Sequence, residues 1–411
     1  LNLNKTRENM KSLIIKLGKI FSLFRRVGFK TAIEIIYGYI EKYVASTFFP
    51  VSGNVFIVVN GVGDSAHYRA FNQAEELNLH KIKAVVVNQN RPFLKKLAKT
   101  GQIFIFARTF STPKLKDFFQ ELKRRKKVVF FETDDLVFDA EFIQNTDFFQ
   151  NKMTRLEKMQ YSSGAGEEIL RDPFVKNCVT STEYLKNILE KYNKKIFVSQ
   201  NKISLQEEKL AETIIKEKIK EKDDSIKVGY FSGTASHNKD FATIVPAIEK
   251  ILRKYSQVKL CLAGHLDIGS ELNQLQNQLI FLPFSSRKKY FQNLSQIDIN
   301  LAPLVLNDPF CESKSEIKFT EAGILGVPTV AVANQTFSQA IADGENGFLA
   351  EKEEEWIKKI SLLIENETLR HEMGEKARAK VLRDFTNSHS HNENYYIYLL
   401  SLMKDKSEQN G

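Results

Sequence analysis

The chain has 411 residues, 42% hydrophobic and 27% charged, with a net charge of +10. That balance fits a soluble globular enzyme of two domains with sizeable cores. Three widely spaced cysteines (Cys178, Cys261, Cys311) point to a reducing cytoplasm and argue against a zinc site; no uncharged apolar run of roughly 18 residues predicts a membrane span, and no secretory signal is apparent.

Residues 1–50 read as a helical extension. Leu13, Leu17, Ile20, Phe24 and Val27 recur at three- and four-residue steps beside Lys11, Lys16, Lys19, Arg25, Arg26 and Lys30. Residues 11–30 therefore have two readings. One is a helix lying on an anionic membrane surface, a peripheral contact. The other is a helix docked on the enzyme's own body with its lysines in water. The further basic runs, Lys123–Lys127 and Arg287–Lys289, have no zinc-finger or RNP spacing, so nucleic acid is not expected as a partner.

From Asn54 the pattern alternates between strands and helices. Strands are expected at Val55–Val59, Ala84–Val87, Ile103–Phe106, Val128–Phe131, Asn177–Thr180 and Lys195–Ser199, with helices between them, among them Ser65–Asn78 and Pro92–Thr100. Residues 203–226 read as a charged linker. A second set follows, with strands at Lys227–Phe231, Val258–Leu262, Leu279–Leu282, Asp298–Leu301 and Thr329–Ala333. Such alternation implies α/β domains with parallel sheets covered on both faces. The domains are read as 51–202 and 227–385, with a C-terminal helix over 386–411.

Ligands of open α/β sheets gather at the carboxyl ends of strands. In the first half these ends carry Gly61, Gly63, Asp64, Ser65 and Arg69, then Arg108, then Glu132-Thr-Asp134-Asp135. Three carboxylates in four positions invite a magnesium reading, with a solvated loop as its alternative. In the second half they carry Gly233, Thr234, His237 and Lys239, then Gly264 and His265, then Pro283 and Phe284. The segment Ser313–Ala333 is the most specific. Ser313 and Glu316 form a capping-box pattern, with Ser315 as a competing cap, for a helix running to about Leu325. Lys318 and Glu321 are three apart, on one helix face near its start. A helix N-terminus suits a phosphate, and a carboxylate beside it suits sugar hydroxyls.

This segment resembles the donor-binding motif of the retaining GT-B glycosyltransferases, family 4 in particular. Glu321, Ala322, Gly326 and Pro328 match the family's Glu-Ala-x-x-x-Gly-x-Pro; its first Glu is Ser313 here. The likeness extends over residues 54–400, and the run Gly63–Arg69 looks like that of bacterial surface-polysaccharide transferases. The resemblance implies GT-B architecture: two Rossmann-like domains with parallel sheets facing a central cleft, plus the N-terminal helical extension. It implies transfer of a sugar, with retention, from a nucleotide-diphosphate sugar to a glycan or lipid-linked glycan acceptor. Rhamnosyl transfer is a further guess from the loops. Lys239, Lys318 and Asp134 would be catalytic. Glu321, Ser313, Ser315, Gly233, Thr234, Gly264, His265, Pro283 and Phe284 would bind the donor nucleotide. Gly61, Gly63, Asp64, Ser65, Arg69, Arg108 and Asp135 would face the sugar or acceptor. For Glu132-Thr-Asp134-Asp135 the resemblance implies a sugar contact first, with the solvated loop second and the metal third. No cofactor and no metal are expected beyond the co-substrate, and the enzyme would work in the cytoplasm or at the inner face of the plasma membrane. Two other functions compete: a GT-B sugar-nucleotide epimerase and a non-catalytic GT-B subunit.

Overall fold

The computed structural model describes residues 28–217, 224–232 and 238–408, with 18 and 24, apart from 147, 154, 156, 157, 159, 160, 163, 265, 267 and 270. The chain divides into two compact units. One holds residues up to Lys202 and those from His391 onward; the other is Ile203–Ser390.

The first unit is a six-stranded parallel sheet in the order β2-β1-β3-β4-β5-β6. Its strands are β1 (Val55–Val59), β2 (Ala84–Asn88), β3 (Ile103–Ala107), β4 (Val128–Thr133), β5 (Asn177–Thr180) and β6 (Lys195–Val198). β1 and β3 are buried at every residue, as continuous apolar runs flanked by helices on both faces must be. Helix α1 (Phe29–Phe48) precedes the sheet and lies against β2. The expected helix over 65–78 is broken into a short turn at Asp64–Ala66, a π-helix at His67–Asn72 and α2 (Gln73–Leu79). A full helix over 92–100 does not form: Phe93 takes a left-handed φ of 55°, and helix starts only at Leu94. Helix α3 (Pro113–Arg124) is capped by the Thr112 side chain and ends in Lys123 and Arg124, where cations suit the helix dipole.

The second unit repeats the plan with the order β12-β11-β10-β7-β8-β9. Its strands are β7 (Ile226–Phe231), β8 (Val258–Ala263), β9 (Leu279–Leu282), β10 (Ile299–Ala302), β11 (Thr329–Val332) and β12 (Phe348–Ala350). Every pairing in both sheets is parallel. Of residues 203–226, read as a linker, Leu205–Glu217 is helix α4, and its Ala211 and Ile214 join the core of this unit. Helices α5 (Val245–Lys254), α6 (Arg287–Ser295), α7 (Ile317–Gly323), α8 (Glu353–Glu365) and α9 (Glu367–Asp384) complete it. The last helix, α10 (Glu393–Glu408), belongs to the first unit, where Tyr395, Tyr396 and Leu399 are buried with residues of β1, β3 and β4.

Each sheet has one place where strand order reverses: between β1 and β3, and between β7 and β10. Chain connections leave such a point on opposite sides and open a crevice at the strand ends.

Candidate functional sites at the two strand-order reversals

In the second unit, α7 follows β10 and brings Lys318 and Glu321 toward the end of β7. The capping box expected at its start is absent. The helix begins at Ile317 with Glu316 in the cap position and no side-chain cap. Ser313 instead ends the short helix Pro309–Glu312, and its buried hydroxyl donates to the Phe310 carbonyl at 2.7 Å. α7 is held from below by Asn300 of β10, whose amide donates to the Lys318 carbonyl at 3.0 Å. From the side it is held by α9: a Cβ on Gly323 would come within 2.8 Å of Val381.

The Lys318 ammonium donates to the Phe231 carbonyl at the end of β7 and sits 4.9 Å from the Tyr230 ring centroid. Burial pushes its pKa below the usual lysine value, and Glu321 and Asp240 oppose that. Glu321 is buried. Tyr290 donates to its Oε2 at 2.6 Å, and Arg287 lies 2.6 Å from its Oε1. Arg287 also holds Glu207 at 2.7 Å, so one guanidinium joins α4, α6 and α7. No sequence signal marked this link. Glu207 lay in the supposed linker, and Arg287 in a basic run. Lys239 is exposed, and Ser315 is half-buried. At the end of β8, Gly264 has φ 93°, and a Cβ there would lie 2.4 Å from the Ser232 carbonyl oxygen. Only glycine lets these two strand ends approach so closely. Pro283 is exposed and Phe284 half-buried, just past β9. Gly233, Thr234, His237 and His265 lie outside the described residues.

In the first unit, the ends of β1, β3 and β4 bring Ser65, Arg108, Asp134 and Asp135 together. Ser65 donates to Asp134 Oδ2 at 2.8 Å. Arg108 stands directly after β3 with a left-handed φ of 47°. Its guanidinium donates to Asp135 at 2.7 Å and lies 3.6 Å from Asp134. Burial alone would lower its pKa; Asp135 and then Asp134 raise it above the ordinary arginine value. Asp135 is also pinned by the Val137 N–H at 3.0 Å. Gly61, Gly63 and Asp64 are exposed, and a Cβ on either glycine would meet no protein atom within 4 Å.

Glu132 and Arg69 part company with this group. Strand alternation turns Glu132 inward, and Arg69, on the π-helix, meets it there at 2.5 Å, with both side chains buried. Arg69 also donates to the Ser199 carbonyl at 2.6 Å and to Asn201 at 3.0 Å. Arg69 therefore lies inside the unit and not in the strand-end loop where its sequence neighbours placed it. Burial pushes the Glu132 carboxyl up to about 7, with Arg69 pulling the other way. Among the described residues no three His, Cys, Asp or Glu side chains converge as a metal-ligand set.

Residues 211–380 match the family described as glycosyl transferases group 1. A search of curated proteins found no match. Many solved structures match, and three of them illustrate the shared fold. Anabaena Alr3699/HepE in complex with UDP and glucose is 14% identical, with a TM-score of 0.56 over 84% of this chain and 99% of that one. A glycosyltransferase from Rickettsia africae ESF-5 is 14% identical, with a TM-score of 0.56 over 86% and 100%. Sucrose-phosphate synthase from Thermosynechococcus elongatus is 12% identical, with a TM-score of 0.54 over 87% and 100%. The fold of the chain is thus that of the GT-B proteins, with two Rossmann-like sheets, and within it residues 211–380 are similar to the glycosyl transferases group 1 family.

Proposed function

We propose that the protein is a glycosyltransferase that moves a sugar from a nucleoside-diphosphate sugar to a glycan or lipid-linked glycan, with retention of anomeric configuration, in surface polysaccharide or glycoconjugate assembly. The observation that carries this reading is the family match over residues 211–380, with Lys318 and Glu321 side by side at the strand-order reversal of that same domain. The UDP-bound neighbour supports UDP as the first nucleotide to test.

In this reading Glu321 meets the ribose, its carboxylate oriented by Arg287 and Tyr290. Lys318 and Lys239 meet the diphosphate. Ammonium groups fixed beside a leaving diphosphate stabilise the charge that develops as its bond to the sugar breaks. Ser315, Gly264, Pro283 and Phe284 are assigned to the nucleotide pocket, as are Gly233, Thr234 and His265, which lie outside the described residues; Ser313, buried and bonded to the Phe310 carbonyl, supports the turn behind it. Asp134, Asp135 and Arg108 face the sugar or acceptor, and Gly61 and Gly63 leave room for it. Retention is expected through attack on the face the nucleotide leaves, the departing phosphate taking the acceptor's proton. Turnover is expected without a divalent metal. EDTA should therefore leave the rate unchanged; loss restored by Mg²⁺ would move Asp134 and Asp135 to a metal site.

The test combines two measurements. Nucleoside diphosphates are screened for a rise in melting temperature, since ligands of the folded state stabilise it by mass action. Nucleotide release is then followed with and without acceptor. Release that needs acceptor and gives a retained anomer by NMR supports the proposal. Acceptor-free release with an epimerised sugar would identify an epimerase. No release and no melting shift would leave a non-catalytic subunit.

A further inference from the structure

Helix α1 has two apolar faces. One is buried against the sheet through Ala32 and Ile35. The other displays Phe29, Ile33, Tyr37 and Ile40, which are 73%, 46%, 72% and 53% exposed. Steps of four, four and three residues put these side chains on one strip of the helix. The helix's two acids, Glu34 and Glu41, fall off that strip. Phe24 stacks on Phe29 at 5.4 Å. At the far end Phe48 and Phe49 are also exposed. Single exposed apolar residues are ordinary, whereas a continuous strip of this kind marks an interaction surface.

Charge identifies the occupant. Residues from Lys5 to Lys30 include eight lysines and arginines and a single acid, Glu8. Most of the net charge of +10 is therefore carried by the sequence that leads into this helix. Aromatic and aliphatic side chains next to concentrated positive charge match an anionic lipid surface: the rings enter the headgroup boundary and the cations meet the phosphates. A second copy of the chain would bring two such positive segments together, which repels. A purely apolar partner would leave the charge without a role.

We propose that the exposed face of α1 seats the first unit on an anionic bilayer. The same helix is tied to the strand-end loops. Lys42 lies 3.1 Å from the Nδ1 of His67, just past the turn carrying Ser65. Arg91, beyond β2, holds the carbonyls of Ser46 and Phe49. A helix resting on lipid therefore holds those loops at the bilayer, where an acceptor with a membrane-embedded lipid is presented. That consequence, unlike the docking itself, rests on the glycosyltransferase reading.

The experiment is sedimentation of the full chain with vesicles of phosphatidylcholine, with and without phosphatidylglycerol. Pelleting is expected with the anionic vesicles only, and it should weaken as salt is raised. The double variant Ile33→Glu with Tyr37→Glu should weaken vesicle binding about tenfold or more. Both residues are exposed, so its melting temperature should stay near that of the parent. Arg25→Gln with Arg26→Gln should weaken binding several-fold. Equal pelleting of the Ile33/Tyr37 variant, or no pelleting of the parent, overturns the proposal. A parent that is dimeric without lipid, and monomeric in the Ile33/Tyr37 variant, assigns the face to a second copy and also overturns it. Nucleotide-induced melting shifts are recorded on the same samples. Vesicle binding without any nucleotide shift would leave the lipid proposal standing and remove the transferase reading.

Discussion

The two strand-order reversals use charge in opposite ways. In the first unit the carboxylates at the ends of the strands are answered by arginines of the same unit, one just past β3 and one on the π-helix. Arg108 spans Asp134 and Asp135, while Arg69 meets Glu132 beneath them. In the second unit the cation at the strand end is answered by a carbonyl and an aromatic ring, and the neighbouring carboxylate, Glu321, is taken by Arg287 and Tyr290. The first arrangement fixes a shape, with two arginines held against three carboxylates, and offers no cation free of a carboxylate to an anionic ligand. The second keeps an ammonium that meets no direct ion pair among the described residues. A diphosphate is therefore expected on the second unit, and an uncharged, hydroxyl-rich ligand on the first.

The strongest way to break this comparison is to remove the ammonium. Lys318→Ala is expected to lower turnover by about 2–4 kcal/mol, on the order of thirty- to a thousandfold, in steady-state nucleotide release. Near-normal turnover in a variant lacking both Lys318 and Lys239 would show that the diphosphate is held elsewhere.

The next effect is a pH dependence confined to the first unit. Glu132 has a folded pKa raised to about 7 against an ordinary 4.5. A carboxyl raised on folding favours the folded state most when it is protonated. Its contribution is therefore fully present below about 4.5 and is lost as pH rises toward 7. Relative to Glu132→Gln, the parent should lose on the order of 2–3 kcal/mol of stability between pH 4.5 and 7.5. Melting temperatures of the two proteins across that range check it; parallel curves would show that Arg69 keeps Glu132 ionised throughout.

Gly264→Ala is expected to cost about 1–3 kcal/mol of stability, read from denaturant midpoints, and to weaken nucleotide binding by displacing Ser232. The smallest effect is that of Tyr290→Phe. Loss of its hydrogen bond should leave the fold nearly unchanged and weaken nucleotide affinity by about 1 kcal/mol, measured by titration calorimetry. An unchanged affinity would mean that Arg287 alone orients Glu321.

The sheets were legible in the sequence because buried parallel strands are short apolar runs with sharp ends. Val55–Val59, Asn177–Thr180 and Leu279–Leu282 have the same limits in the sequence reading and the structure. The edge strand Phe348–Ala350 was missed; three residues are too few to show a period. Lys318 and Glu321 were legible because helix spacing alone makes them neighbours. Ser313 was misread because its spacing to Glu316 imitates a cap, while a preceding turn, Pro309–Glu312, claims it. The links from Arg69 to Glu132 and from Arg287 to Glu207 join residues 63 and 80 positions apart. No local pattern records such pairings.

The path of the chain has a consequence for how this protein can be taken apart. The second unit begins and ends at one point: Ile203 donates its N–H to the Phe385 carbonyl and bridges to Thr386. Both crossings are fastened in the first unit by Glu76, which accepts from Lys202 on the way out and from Tyr396 on the way back. The second unit is thus an insertion in the first, with adjoining ends. A gene fragment covering 203–390 should yield a soluble piece that binds nucleotide by itself. Cutting after Lys202 should not yield the complementary half, since it strips α10 from the core around Tyr395 and Leu399. A short Gly-Ser bridge from Lys202 to His391 would restore it.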